Sequence, residues 1–208
     1  KSYIGIKLDN NPDWPAVFWS VMMAGYKPLL LDYRGDAAIT LHLLDTAGAV
    51  AIITDDKAEY PGYDKITPTS LLGKKLDEGF SPDWADEVAL CTSGTTGTAR
   101  VFVYNGDAMG HQMDNARYFL KDNGDIMYDT SDGECKNLAF LPLHHIFGFV
   151  AVYMWYSFFG KTIVYLKDKS PKTIMDTCRR HEVTHIFCVP MFWNNVTQGI
   201  MQIGRAHV

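Results

Sequence analysis

The chain has 208 residues, with 19 lysines and arginines against 24 aspartates and glutamates and a formal net charge of −5. Its 47% hydrophobic and 21% charged residues exclude disorder and argue against a coiled coil. The basic residues are spread along the chain without forming a stripe, so no electrostatic feature supports a nucleic-acid partner.

This length allows one large domain or two small ones, with a core that buries most apolar side chains. Cys91, Cys135, Cys178 and Cys188 show no metal-ligating spacing and read as reduced thiols, which points to a cytoplasmic protein. The first residues carry no signal-peptide pattern and enter a strand-like run almost at once, which implies sequence before residue 1. The most apolar stretch, Ile146 to Gly160, is shorter than the roughly twenty residues that span a bilayer. It is expected to be a buried helix, and no transmembrane segment is expected.

Ile4, Ile6 and Leu8 alternate as in a strand, and Asp9-Asn10-Asn11-Pro12 supplies a turn, a cap and a proline for a first helical turn. A helix is predicted over Asp13 to Ala24, with Phe18, Val21 and Met22 on one side and Gly25 at its end. Pro28 to Leu31 follows as a buried strand. Asp36 caps a helix from Ala37 to Ala47, and Ala49 to Thr54 forms a third strand. From Asp55 to Glu87 the pattern gives way to charged and turn-forming residues. This stretch reads as a long surface connection with a short helix near Ser70 to Leu76 and a candidate subdomain break within 55–87.

A second block begins with the apolar run Val88 to Cys91, followed by Thr92-Ser93-Gly94-Thr95-Thr96-Gly97-Thr98-Ala99-Arg100 and a second run, Val101 to Tyr104. Gly94 and Gly97 can adopt backbone conformations closed to other residues, which lets main-chain N–H groups turn around an anion while hydroxyls and a guanidinium add donors. That chemistry suits a phosphate cradle. The same composition suits the turn of a β-hairpin. No Lys-Ser or Lys-Thr pair closes the stretch, so it is not a Walker loop.

A helix is expected from about Gly106 to Leu120, with Met109, Met113, Ala116 and Leu120 at helical spacing. Lys121 to Lys136 reads as a polar loop. Within it, Asp129 to Glu134 lacks the third-position acid and spaced glutamate of an EF-hand and is taken as a solvated turn. A strand over Asn137 to Leu141 leads into Pro142-Leu143-His144-His145-Ile146-Phe147-Gly148 and an apolar helix, Phe149 to Phe159. A strand over Lys161 to Leu166, a helix over Pro171 to His181, a strand over Thr184 to Val189 and a helix opened by Pro190 complete the order. Strand and helix alternate throughout, so the expected fold class is α/β with a mostly parallel sheet.

Two stretches stand at the ends of predicted strands, where open α/β sheets form ligand crevices: Thr92 to Arg100, and Pro142 to Gly148. With them the chain resembles the adenylate-forming superfamily of acyl-CoA synthetases, luciferases and peptide-synthetase adenylation domains. The signature there is Thr-Ser-Gly-Thr-Thr-Gly-x-Pro-Lys-Gly followed by Pro-Leu-x-His-x-x-Gly. Thr92 to Gly97 agree residue for residue, and Met23-Ala24-Gly25-Tyr26-Lys27-Pro28-Leu29 looks like the family's upstream Lys-Ala-Gly-x-x-x-Val-Pro element. The sequence departs at Ala99, Arg100 and Val101, where relatives usually carry Pro, Lys and Gly, and at Gly106, where they often carry His. Arg100 keeps the positive charge as a planar fork.

The resemblance implies the partial large N-terminal domain of an acyl-adenylate-forming enzyme. In that family the loop holds the β- and γ-phosphates of ATP, a carboxylate attacks the α-phosphorus, and a thiol, commonly that of CoA, then takes the acyl group. Carried over by position, Thr92, Ser93, Thr95, Thr96 and Arg100 are expected to contact phosphates, with Gly94, Gly97 and Thr98 completing the nucleotide-binding loop. His145 matches the motif histidine beside the acyl and adenylate site, and His144 occupies the variable position. Either histidine taken alone would be read as packed or capping.

No metal ligand is assigned in this chain. The adenine and Mg²⁺ segment, the ribose acid and the catalytic lysine of the family would lie beyond residue 208. The loop reads Ser-Gly-Thr-Thr-Gly, not the Ser-Gly-Ser-Thr-Gly of amino-acid-activating relatives, and Phe140 to Gly148 contains no carboxylate. A plain carboxylic acid, such as one handled in fatty acid metabolism, is therefore expected. The aromatic run Phe147, Phe149, Tyr153, Trp155 and Tyr156 suits an apolar acyl or aryl group, although most of it is expected simply to be helix core, so that no chain length follows. Two alternatives remain open, an adenylation domain loading a carrier protein and a non-catalytic nucleotide- or anion-binding module.

Residues 1–202 are expected to be an incomplete AMP-binding domain, inactive by itself. Gln202 to Val208 can be written as CAG ATC GGA AGA GCA CAC GTC, which resembles a short-read sequencing adapter. On that reading 203–208 are a non-native tail on a truncated metagenomic reading frame.

Overall fold

The computed structural model describes residues 1–75, 77–92, 99–127, 135–194 and 197, without the side chains of 119, 120 and 122–127. The strands β1 (Tyr3–Lys7), β2 (Lys27–Leu30), β3 (Ala49–Thr54), β4 (Asp64–Ile66), β5 (Glu87–Thr92) and β6 (Arg100–Asn105) form one sheet in the order β4-β3-β1-β2-β5-β6. Every neighbouring pair is parallel except the last, in which β6 runs antiparallel to β5.

The two-residue period of a strand divides this sheet's side chains between two cores. Ile4, Ile6, Leu30, Ala51, Ile53, Val88 and Leu90 join one apolar cluster, with Trp14, Phe18 and Val21 of helix α1 (Trp14–Met23). Leu29, Leu31, Ile52 and Ala89 join another, with Leu43 and Leu44 of α2 (Ala37–Ala47). Burial on both faces explains why the strands read as nearly continuous apolar runs. Gly5 lies close beneath α2: a Cβ there would lie 2.8 Å from Leu44 Cδ2 of that helix and 2.9 Å from Leu31 Cδ1.

Local chemistry sets the helix ends. Asn11 Oδ1 accepts the N–H groups of Asp13 and Trp14, and the proline in the first turn of α1 is Pro15, not the expected Pro12. Asp36 caps α2 through the Ala38 N–H, and Gly48, at φ 65°, ends it. The connection before β5 contains β4 and a single helical turn, α3 (Pro68–Leu71), where only a short helix further along was expected. The helix after β6, α4 (Gly106–Met127), takes in Lys121 to Met127, which had been expected in a loop. It buries Met113 and Ala116, while the side chain of Leu120 lies outside the described ones.

A second, two-stranded parallel sheet pairs β7 (Lys136–Leu138) with β8 (Thr162–Val164). The expected strand over Thr184 to Val189 is reduced to a single bridge from His185 to Asn137. Between β7 and β8 runs helix α5, which starts as a π-helix over Gly148–Met154 and continues as an α-helix over Trp155–Phe158. An aromatic seam joins α5 to α1: Phe18 stacks on Trp14 at 5.4 Å, Phe149 lies 5.4 Å from Phe18, and Tyr153 meets Trp14 edge-on at 5.3 Å. Helix α6 (Pro171–His181) is capped by Ser170, and 190–194 are helical. The calcium-like turn at 129–134 and the 203–208 tail lie outside the described residues. Among the described residues no helix is long and apolar enough to cross a membrane.

Candidate functional site

The loop singled out in the sequence joins two antiparallel strands. Thr92 closes β5, Arg100 opens β6, and the two face each other in register. Ser93, Gly94, Thr95, Thr96, Gly97 and Thr98 lie outside the described residues. Hairpin and phosphate cradle are therefore compatible readings, because the glycines and hydroxyls occupy the connection between paired strands. Thr92 and Arg100 are exposed, and among the described residues none forms an ion pair with the Arg100 guanidinium. Ala99 and Val101 stand where the family's Pro and Gly were expected, and both pack against the cluster beneath α2. The departures from the motif thus anchor the hairpin's second strand by apolar contact. Burial pushes the neighbouring Cys91 thiol up to about 12, far from the range of a reactive thiolate.

The histidine turn is built around Pro142 and Gly148. The Pro142 carbonyl accepts the His145 N–H at 3.2 Å, and a Cβ added to Gly148 would lie 2.0 Å from that carbonyl oxygen. Glycine is required here by proximity. The His145 carbonyl accepts the Phe149 N–H at 2.8 Å, and its Nδ1 accepts the Phe147 N–H at 3.4 Å, so His145 caps the start of α5 while its side chain stays exposed. His144 is half-buried, with Nε2 3.5 Å from Asp32 Oδ1. Burial holds its pKa below the ordinary histidine value, against the opposing pull of Asp32.

Two residues that the sequence does not mark as belonging to this site support the turn. Asn10, read as part of a turn, donates through Nδ2 to the carbonyls of Ala139 and Leu141, and its Oδ1 accepts the Leu143 N–H. Asp32 faces His144. Their partners lie far along the chain, and no local signal could have identified them. Asn10 follows β1, Asp32 follows β2 and Thr92 ends β5; since these strands are parallel neighbours, all three residues stand on the carboxyl edge of one sheet. That edge is where open α/β sheets bind ligands. A cavity of about 160 Å³, lined by Trp19, Met22, Glu87 and Asn105 among others, opens at the opposite end of the β5–β6 pair and is separate from this site.

The aromatic run divides. Phe149, Tyr153 and Tyr156 are buried core residues, and the Trp155 indole donates to the Gln112 carbonyl, which leaves Phe147 exposed beside His145. Lys169, partly buried, lies 5.4 Å over the Phe140 ring, and burial holds its pKa below the usual lysine value. Among the described residues, no group of three His, Cys, Asp or Glu side chains gathers at metal-ligating distance.

This architecture is shared with solved structures of adenylate-forming enzymes. The o-succinylbenzoate CoA synthetase of Bacillus subtilis, in complex with its acyl-adenylate intermediate, superposes with a TM-score of 0.77 at 21% identity, covering 95% of this chain and 51% of that one. The same enzyme with ATP and magnesium gives 0.77 at 21%, covering 95% and 41%. The N-terminal subdomain of Klebsiella oxytoca NpsA, bound to 3-hydroxybenzoyl-AMSN, gives 0.70 at 17%, covering 90% and 47%. The α/β fold is thus that of the N-terminal portion of adenylate-forming enzymes. By its sequence the chain belongs to the family of AMP-binding enzymes, which matches residues 1–206. It spans about half the length of the solved relatives.

Proposed function

We propose that this chain is the N-terminal part of an ATP-dependent ligase that joins a carboxylate to AMP, releases pyrophosphate, and passes the acyl group to the thiol of CoA. The observation that carries the reading is the Thr92–Arg100 pair at the tip of the β5–β6 hairpin, on the sheet edge that also anchors the histidine turn. A hydroxyl and an exposed guanidinium at the two ends of a glycine- and hydroxyl-rich connection fit a triphosphate, since charge-assisted hydrogen bonds to phosphate are the strong ones. In this reading Thr92, Ser93, Gly94, Thr95, Thr96, Gly97, Thr98 and Arg100 hold the β- and γ-phosphates, and His145 lies beside the reacting carboxylate. The protein's contribution is in-line positioning and charge neutralisation. Magnesium would add charge at the phosphates, but the described residues offer no cluster of three His, Cys, Asp or Glu side chains to hold it.

The acid is aryl or apolar acyl. Exposed Phe147 beside His145 supports this, as do the o-succinylbenzoate acyl-adenylate bound by the Bacillus protein and the 3-hydroxybenzoyl-AMSN bound by the Klebsiella one. Transfer to a carrier-protein thiol is a variant of the same chemistry. A non-catalytic anion-binding module is favoured by one observation, the apolar packing of Ala99 and Val101 in place of Pro and Gly.

The test is carboxylate-dependent ATP–pyrophosphate exchange, run with aryl and aliphatic acids on the 208-residue chain and on a protein extended to the length of the solved relatives. Exchange is expected only in the extended protein, and Arg100→Ala should lower it about 100-fold. ATP binding without exchange for any acid would favour the binding module.

A further inference from the structure

We infer that Asn10 is a positioning residue for His145: its carboxamide substitutes for a neighbouring strand and fixes the backbone from which the histidine turn springs. Both Nδ2 protons are used, toward Ala139 O at 2.9 Å and Leu141 O at 2.7 Å, and Oδ1 accepts the Leu143 N–H at 2.9 Å. Asn10 as a whole is only 8% exposed. Alternate peptide groups of 139–143 therefore meet one planar group offering two donors and an acceptor. Ala139 meanwhile donates its N–H to Val164 O of β8 at 2.8 Å. A carboxylate at position 10 would lack the donors, an aliphatic side chain would lack everything polar, and glutamine would be one methylene too long.

The consequence reaches His145 through a single peptide. Asn10 holds Leu141 and Leu143, the two residues flanking Pro142, and the Pro142 carbonyl accepts the His145 N–H and abuts Gly148. A rotation of that carbonyl would break the His145 hydrogen bond and alter the cap in which His145 Nδ1 accepts the Phe147 N–H. Asn10 stands just past the carboxyl end of β1, so it ties the turn to the first sheet's ligand edge. What His145 does there rests on the adenylation reading; where it is held does not.

The test reads the geometry on the 208-residue chain by nuclear magnetic resonance. In the wild type, the Asn10 side-chain amide protons should exchange at least about tenfold more slowly than those of exposed Asn115. In Asn10→Ala and Asn10→Asp, protection of the Leu143 N–H should fall about tenfold and the His145 ring nitrogens should shift, with His42 and His181 unmoved. Leu44→Ala, which disrupts the other core, should lower stability and leave His145 unchanged. Wild-type Asn10 protons exchanging as fast as those of Asn115 would overturn the inference even if the variants fail to fold. So would a His145 shift of equal size in Leu44→Ala. In the extended protein, Asn10→Ala should lower kcat for exchange about tenfold with KM for ATP unchanged. No exchange in the wild type would defeat the adenylation reading and leave the resonance result to decide on Asn10.

Discussion

The hairpin motif and the histidine turn are held in opposite ways. The hairpin is fixed from its flanks, by strand pairing of Thr92 with Arg100 and by the packing of Ala99 and Val101, while the side chains of Thr92 and Arg100 are exposed. The histidine turn is fixed along its backbone, by three hydrogen bonds from Asn10, the contact of Gly148 with Pro142, and the His145 cap. Glycine plays a different part in each. The hairpin connection has two glycines where backbone freedom suits wrapping an anion, whereas Gly148 is glycine because no room exists for a Cβ. On the proposed function, the contrast would suit a site in which one wall accommodates a charged ligand and the other presents a side chain from a fixed place.

Gly148→Ala should have the largest effect. Its Cβ would lie 2.0 Å from Pro142 O, 2.7 Å from Pro142 C and 3.3 Å from Leu141 C, all backbone atoms that no rotamer change can move aside. A loss of about 3 kcal/mol or more in urea unfolding is expected. Gly5→Ala provides the contrast, because its added Cβ meets the flexible ends of Leu44 and Leu31; about 1 to 2 kcal/mol is expected there. Equal costs at the two glycines would mean that the turn is not backbone-locked.

Much of this arrangement is legible in the sequence where the controlling interactions are local. The first strand follows from alternating apolar residues, the next two from continuous apolar runs, and α2 from Asp36 and Gly48 as caps. The two motifs are legible as residue strings. β4 is not, since Asp64-Lys65-Ile66 is too short to show a period, and its pairing with β3 is a tertiary fact. The polar run after Leu120 resembles a loop by propensity, yet Lys121 to Met127 continue α4. Residues Gly148 to Met154 are apolar on every side, so no phase in the sequence marks their π-helical winding. Asn10 is the most instructive case. Between Asp9 and Asn11 it looks like turn chemistry, but its carboxamide is committed to groups 129, 131 and 133 residues away.

An intermediate effect is expected on the hairpin side. Val101→Gly restores the residue common in the family, at the cost of apolar packing against the cluster beneath α2 and of added backbone entropy in a strand. Together these should cost about 1 to 2 kcal/mol. The change should be local: amide exchange should quicken at Thr92 and Arg100, and the Leu143 N–H should keep its wild-type protection. Loss of protection at Leu143 would show that the two walls are mechanically coupled, contrary to the separate anchoring seen in their contacts.

The smallest effect is a difference in pH response, and it belongs to the histidine turn because residues 87–105 contain no histidine. Burial lowers the pKa of His144, helped by His145 and Lys169, while Asp32 and Asp9 pull the other way. Above about pH 6.5 the imidazole is neutral in both folded and unfolded chains and contributes no pH dependence. As pH falls below that value the unfolded chain binds the proton first, so stability declines until the folded-state pKa is passed. His144→Gln keeps an amide donor near Asp32 and removes the titration. Urea midpoints at pH 8 and pH 5.5 should therefore fall further for the wild type than for His144→Gln, whereas Val101→Gly should keep the wild-type difference. Parallel falls in wild type and His144→Gln would mean that water reaches His144 freely. The turn would then be open at the point where its contacts with Asp32 close it against the first sheet.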